Sequence, residues 1–114
     1  AKSIGVNVIS RSEIAEIGIE KACKKALKGA ERKIFVDIDV DVCDRSVVPG
    51  CPAAAPGGVS AFELRQAARI LASHKSVRGI DITEIDATSD SADQRTIRLG
   101  ALLVLEIATG YLNR

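Results

Sequence analysis

The stretch "KIFVDIDVDVCDRSVVPG", residues 33–50, runs from an apolar segment through a tail of aspartates into a loop closed by Pro-Gly. Ile34, Val36 and Ile38 alternate with Phe35, Asp37 and Asp39, the period of two that marks a β-strand. A strand is therefore predicted over Lys33–Asp39. Pro49 and Gly50, then Pro56, Gly57 and Gly58, interrupt regular structure, so a long loop is expected from Val42 to Val59. Along an extended chain, residues two apart share a side, which sends Asp39 and Asp41 the same way at the strand's end.

The flanks repeat the pattern. Downstream, Ser60 and Glu63 have the spacing of a capping box, and Leu64, Ala67, Ala68 and Leu71 recur on one helical face. "SVRGIDITEI", Ser76–Ile85, is the next predicted strand. Ser91 and Gln94 are expected to open a last helix running to about Gly110. Upstream, "SIGVNVI", Ser3–Ile9, is a predicted strand. Ser10 and Glu13 then start a helix that Gly18 interrupts. Ile19, Ala22, Cys23, Ala26 and Leu27 form an apolar helical face, which Gly29 ends. Strands alternating with helices imply βαβ units and a parallel sheet, an α/β domain.

The 114 residues suffice for one domain with a modest core. Sixteen basic against fifteen acidic side chains give no electrostatic footprint for nucleic acid or a membrane surface. Phe35, Phe62 and Tyr111 are the only aromatic residues, so no platform for stacking bases is expected. The apolar stretch from Ile97 to Ala108 is too short to span a bilayer. Three irregularly spaced cysteines argue for a reducing, cytoplasmic setting. The absence of methionine, even at position 1, suggests a chain that begins inside a longer product or after a trimmed tag.

Two converging carboxylates repel, and need a cation or a shared proton. In parallel sheets, ligands gather at the carboxyl ends of strands, and a hard divalent metal suits oxygen donors. The alternative is a solvated acidic turn with Asx-type hydrogen bonds. Glu84 ends the later strand as either a functional group or an ordinary surface ion-pair partner. His74 falls at a helix C-terminus, a surface position favoured by the dipole. Cys43 and Cys51 flank the loop without zinc-knuckle spacing, and Cys23 lies on an apolar helix face. Arg45 could neutralise a neighbouring aspartate.

The series Asp39, Asp41, Asp44, Pro49-Gly50 and Pro56-Gly57-Gly58 resembles the C-terminal signature of the ureohydrolases: arginases, agmatinases, guanidino-acid hydrolases and formimidoylglutamases. "GIDITEID", Gly79–Asp86, is similar to that family's final strand, which ends in a glutamate. The likeness runs the whole length of the chain. It implies a three-layer α/β/α sandwich around a parallel sheet, with residues 1–114 as the C-terminal part of one arginase-like domain. It also implies two manganese ions at the strand ends, Asp39 bridging both and Asp41 binding one. Glu84 matches the glutamate that pairs with the substrate's guanidinium nitrogens. Asp44 and Asp81 match family aspartates that are not ligands, and Pro49, Gly50, Gly57 and Gly58 would shape the loop. The departures are Asp37, where the family usually has Ser or Thr, and Arg45, where it usually has Pro.

The implied activity is agmatinase-like hydrolysis of a guanidino C–N bond, releasing urea, in a homo-oligomer acting on a small substrate. Formimidoylglutamase-type hydrolysis releasing formamide is the alternative. The loop "VCDRSVVPGCPAAAPGG" is nearer to these two than to true arginases. The family's upstream D-x-H-x-D and G-G-x-H motifs have no counterpart, and the chain holds one histidine. The segment alone is therefore expected to be inactive and to bind no metal tightly. Two readings from other classes remain: a non-catalytic α/β fragment serving oligomerisation, and a receiver-like domain with an acidic magnesium pocket. The second needs a further acidic pair after an early strand, which "GVNVISRSE" does not supply.

Overall fold

The computed structural model describes residues 4–30 and 32–114. Strands β1 (Ile34–Asp39) and β2 (Val77–Thr83) pair in parallel, from Ile34 opposite Val77 to Asp39 opposite Thr83. Four helices accompany them: α1 (Arg11–Ile17), α2 (Ile19–Leu27), α3 (Ala61–Ser73) and α4 (Arg95–Leu112). The run β1–α3–β2 is a crossover unit, and the fold is α/β with a parallel sheet.

Local chemistry sets the helix ends. The Ser10 hydroxyl accepts the Glu13 N–H at 3.1 Å, and Gly18, at φ 82°, separates α1 from α2. At α3 the capping box closes in both directions. Ser60 Oγ accepts from Glu63 N at 3.1 Å, and Glu63 Oε2 accepts from Ser60 N at 2.8 Å. The start of α4 departs from the predicted Ser91–Gln94 pattern. Gln94 has left-handed backbone and gives no side-chain cap, while the Ser91 hydroxyl donates to Asp93. The orphan N–H groups of Thr96 and Ile97 donate instead to the Asp90 carboxylate, at 3.3 and 3.0 Å. An ionised acceptor is the stronger partner there, and it also suits the positive end of the helix dipole.

The predicted strand over Ser3–Ile9 is not realised. Ser3 lies outside the described residues, and Ile4–Ile9 enters no ladder. A strand is stable only beside a hydrogen-bonded neighbour, and among the described residues β1 and β2 pair only with each other. Val6 and Val8 are accordingly exposed.

The core sits on one face of the sheet. Val36, Ile38, Ile80 and Ile82 point towards Leu64 and Ala68 of α3 and Leu99 and Leu103 of α4. The loop after β1 joins them, burying Val40, Cys43, Val48, Cys51 and Val59. A loop that inserts five apolar side chains is part of the core and not a cover over it. Phe35, Asp37 and Asp81 occupy the opposite, exposed face. No described helix is long and apolar enough to cross a membrane.

One charged cluster ties α3 to α4. Glu106 is buried, at 6 % exposure, and accepts from Arg65 at 2.7 Å and from Arg69 at 2.6 Å. Burial alone would raise its carboxyl. The arginine hydrogen bonds and charges outweigh that, and the net effect lowers it from 4.5. The unfolded chain then binds a proton more readily than the folded one. Glu106 therefore contributes its full stabilisation above the ordinary glutamate value, and loses it as pH falls through the depressed one. Glu106→Gln is expected to cost about 1–3 kcal/mol at neutral pH, and less at pH 3. Urea unfolding at both pH values checks this, and an equal loss at each would contradict the ionic role.

Candidate functional site

Asp39 is the last residue of β1, and β2 ends level with it at Thr83. Glu84 follows directly, so the two acidic groups stand at the same end of paired parallel strands. Asp41 arrives by another route than strand parity predicts. The chain turns at once into a 3₁₀ turn over Val40–Val42, with Asp39 as its cap, and Asp39 Oδ1 accepts the Asp41 N–H at 2.9 Å. A short aspartate side chain bonding its own backbone two residues on competes with strand geometry and ends it. The Asx-type turn and the convergence of carboxylates are thus both present. Partial burial first, then the charge of Asp39 and a hydrogen bond with it, then Asp37, push the Asp41 carboxyl above its usual range.

Glu84 adopts φ 66°, the left-handed region, which costs a side-chain-bearing residue about 1 kcal/mol. Such outliers persist where the surroundings impose them. Glu84→Gly is expected to be more stable than Glu84→Ala by about 1 kcal/mol, because glycine alone relieves the strain. Thermal unfolding of the two variants checks this. Equal midpoints would mean the position is relaxed in solution.

The loop between these acids is braced from within. Asp44 accepts from Gly57 N at 2.7 Å and from Ser46 N at 3.0 Å, and these bonds, led by that from the Ser46 hydroxyl, hold its carboxyl below the usual range. Arg45 does not neutralise an aspartate as the sequence suggested. It donates to the carbonyls of Cys51 and Pro52, so it clasps the loop. Gly58 is in backbone contact with the other side of the loop: a Cβ there would lie 2.3 Å from the Cys43 carbonyl carbon. Gly50 donates to the Thr96 hydroxyl at 2.9 Å and accepts from Asp86 N at 2.8 Å, which joins the loop after β1 to the loop after β2. Pro49 precedes it, half-buried.

Thr96, Asp90 and Asp86 were not legible as site-bracing residues. Gly50 and Thr96 are 46 positions apart, and no local spacing announces such a contact. Asp81 lies on β2 opposite Asp37, and Asp37 accepts from the Thr83 hydroxyl at 2.9 Å. His74 caps α3, its Nδ1 accepting from Ser76 N at 3.3 Å. Cys43 and Cys51 are fully buried free thiols. Burial, then Cys51, Asp44 and Glu63, push Cys43 up to about 11, which leaves it unreactive.

The acids border two clefts. One, of about 400 Å³, has Asp41 and Arg11 in its wall, and a smaller one, of about 130 Å³, has Asp37 and Asp39. A cleft of about 900 Å³ between Val6–Ile9 and the end of α2 holds none of the candidate acids. Among the described residues, no three or more His, Cys, Asp or Glu side chains are grouped to hold a metal ion. Asp39 and Asp41 are hard oxygen donors whose mutual repulsion a divalent cation would relieve, so they fit part of a metal shell and not the whole.

A family model described as the arginase family matches residues 1–110. The formimidoylglutamase of Bacillus subtilis (strain 168) is 38 % identical over 113 residues, covering 96 % of this chain and 35 % of its own. The crystal structure of formimidoylglutamase from Bacillus subtilis subsp. subtilis str. 168 aligns with a TM-score of 0.87 at 36 % identity, over 96 % of this chain and 35 % of that one. The agmatinase of the same strain is 31 % identical over 114 residues, covering 98 % of this chain and 37 % of its own. A Trypanosoma cruzi formiminoglutamase solved with Mn2+2 at pH 8.5 aligns with a TM-score of 0.80 at 26 % identity, over 90 % of this chain and 35 % of that one. The chain spans about a third of the length of these relatives.

Proposed function

The chain belongs to the arginase family, and from that premise we propose that residues 1–114 form the C-terminal third of a metal-dependent hydrolase of the formimidoylglutamase type. The observation that supports the reading is that β1 and β2 end level, so that Asp39 and Glu84 belong to the same end of two paired parallel strands, with Asp41 in the turn after Asp39. The preference for agmatine drawn from the sequence is not favoured over this. The formimidoylglutamase relative is 38 % identical and the agmatinase 31 %.

Asp39 and Asp41 would hold manganese, the ion in the Trypanosoma cruzi relative, together with donors from the rest of the enzyme. When bound, two manganese ions supply a water acidic enough to react near neutral pH. Glu84 accepts N–H bonds from the planar formimino group and fixes its orientation. The bond that breaks joins the formimino carbon to the amino-acid nitrogen. Water adds to that carbon, the nitrogen leaves as the amine, and formamide is released. Asp44, with Gly57 and Gly58, braces the loop that follows Asp41.

On this reading the 114 residues alone are inactive, since two carboxylates are too few protein ligands. The free edges of β1 and β2 pair with the rest of the enzyme, and the whole enzyme is a cytoplasmic homo-oligomer, a setting that suits three free thiols. The test is to supply the complete enzyme with manganese and offer N-formimino-L-glutamate, agmatine and arginine, measuring formamide and urea. Formamide from the first substrate at the highest kcat/KM is expected. Urea release from agmatine at a higher kcat/KM would return the assignment to agmatinase.

A further inference from the structure

Asp41, Arg11 and the turn Pro56-Gly57-Gly58 all line the cleft of about 400 Å³. Arg11 is the first residue of α1, and its Nε donates to the Gly58 carbonyl at 3.3 Å. One terminal nitrogen lies 3.8 Å from Glu63 Oε2. That same oxygen accepts the Ser60 N–H at 2.8 Å, so its charge is shared with the α3 cap. The Arg11 side chain remains 43 % exposed. The remaining wall is supplied by apolar side chains such as Ile9 and Ile14, and by loop backbone. A cation that is only partly neutralised thus faces the cleft that Asp41 borders.

We infer that Arg11 receives the carboxylate end of the substrate. This selects substrates whose tail ends in a carboxylate over those ending in an ammonium, and it rests on the proposed function above. A guanidinium presents a planar fork of donors that matches a carboxylate in two parallel bonds. The ammonium end of agmatine would meet a like charge at the same place. On the proposed function Asp41 would help hold the metal beside this cleft, and Arg11 sets which tail can lie in it.

The test uses the complete manganese-loaded enzyme and three substrates: N-formimino-L-glutamate, an N-alkylformamidine without carboxylates, and agmatine. Arg11→Gln is expected to raise KM for N-formimino-L-glutamate roughly tenfold or more, as loss of a charge-assisted bond does. kcat/KM for the alkylformamidine should fall by a much smaller factor. Arg11→Lys, which keeps the charge and loses the fork, should recover part of the affinity. An equal loss on both formimino substrates would reduce Arg11 to a brace for the Gly58 turn, and no loss on either would remove it from recognition; either result overturns the inference. A second measurement does not depend on turnover. Glutarate titrated into the protein should shift the backbone amides of Arg11, Gly57 and Gly58, and should not do so in Arg11→Gln. If no formimino substrate is turned over, the proposed function falls while the glutarate shifts still decide Arg11. Their absence in the unmutated protein overturns it.

Discussion

Asp39→Ala in the complete enzyme is expected to lower kcat by far more than a hundredfold and to release manganese. Residues that merely orient metal ligands cost 10- to 100-fold on mutation, and removal of a ligand itself should exceed that. Asp39 has two tasks in this structure. It ends β1 at the level of Thr83, and its Oδ1 holds the Asp41 N–H, so its loss also frees the turn that presents Asp41. Glu84→Ala should be milder, because in the proposed role Glu84 orients the substrate and touches no metal. Metal content measured beside kcat and KM separates the two. An Asp39→Ala enzyme that keeps both ions would sink the ligand assignment, whatever its rate.

The acidic end of the sheet was readable because its signals are local. Alternation in residues 34–39 sets the strand, and a Pro-Gly loop must follow it. The capping box at Ser60 and Glu63 is likewise a spacing of three, and it closes both ways. What sequence reasoning missed depends on competition or on distance. Strand parity was carried two residues past the strand's end, since the Asp39 side chain bonds the backbone of Asp41 and turns the chain. At α4, Ser91 was the local candidate for a cap, yet Asp90 holds the helix start with an ionised group. Residues Ile4–Ile9 have strand composition without a neighbour to make the ladder. Arg45 looked like a counter-ion among aspartates, and the folded loop gives it two carbonyls instead. Apart from residues 4–9, which lack a neighbour altogether, each miss is a case where the partner differs from the one a spacing rule would choose.

Gly58→Ala is expected to cost about 3 kcal/mol or more, and to lower the unfolding midpoint by on the order of 15 °C. The added carbon would sit 2.3 Å from the Cys43 carbonyl carbon, 2.4 Å from Asp44 N and 2.5 Å from Val42 O. All three are backbone atoms, so no side chain can rotate away. Val59 N donates to Val42 O at 2.8 Å, and Asp44 N donates to Val59 O at 3.0 Å, a two-bond bridge that must open to admit a methyl group. Opening it withdraws Cys43 and Val59 from the core and frees Asp44 from Gly57, so the damage passes from the loop into both the core and the acidic site. Gly57→Ala tests the same turn differently. It has φ 95° but open space around it, so its penalty comes from backbone conformation alone and should be smaller. Calorimetry of the two variants ranks them, and a Gly57→Ala loss equal to or greater than that of Gly58→Ala would show that the close approach across the loop is not what holds it.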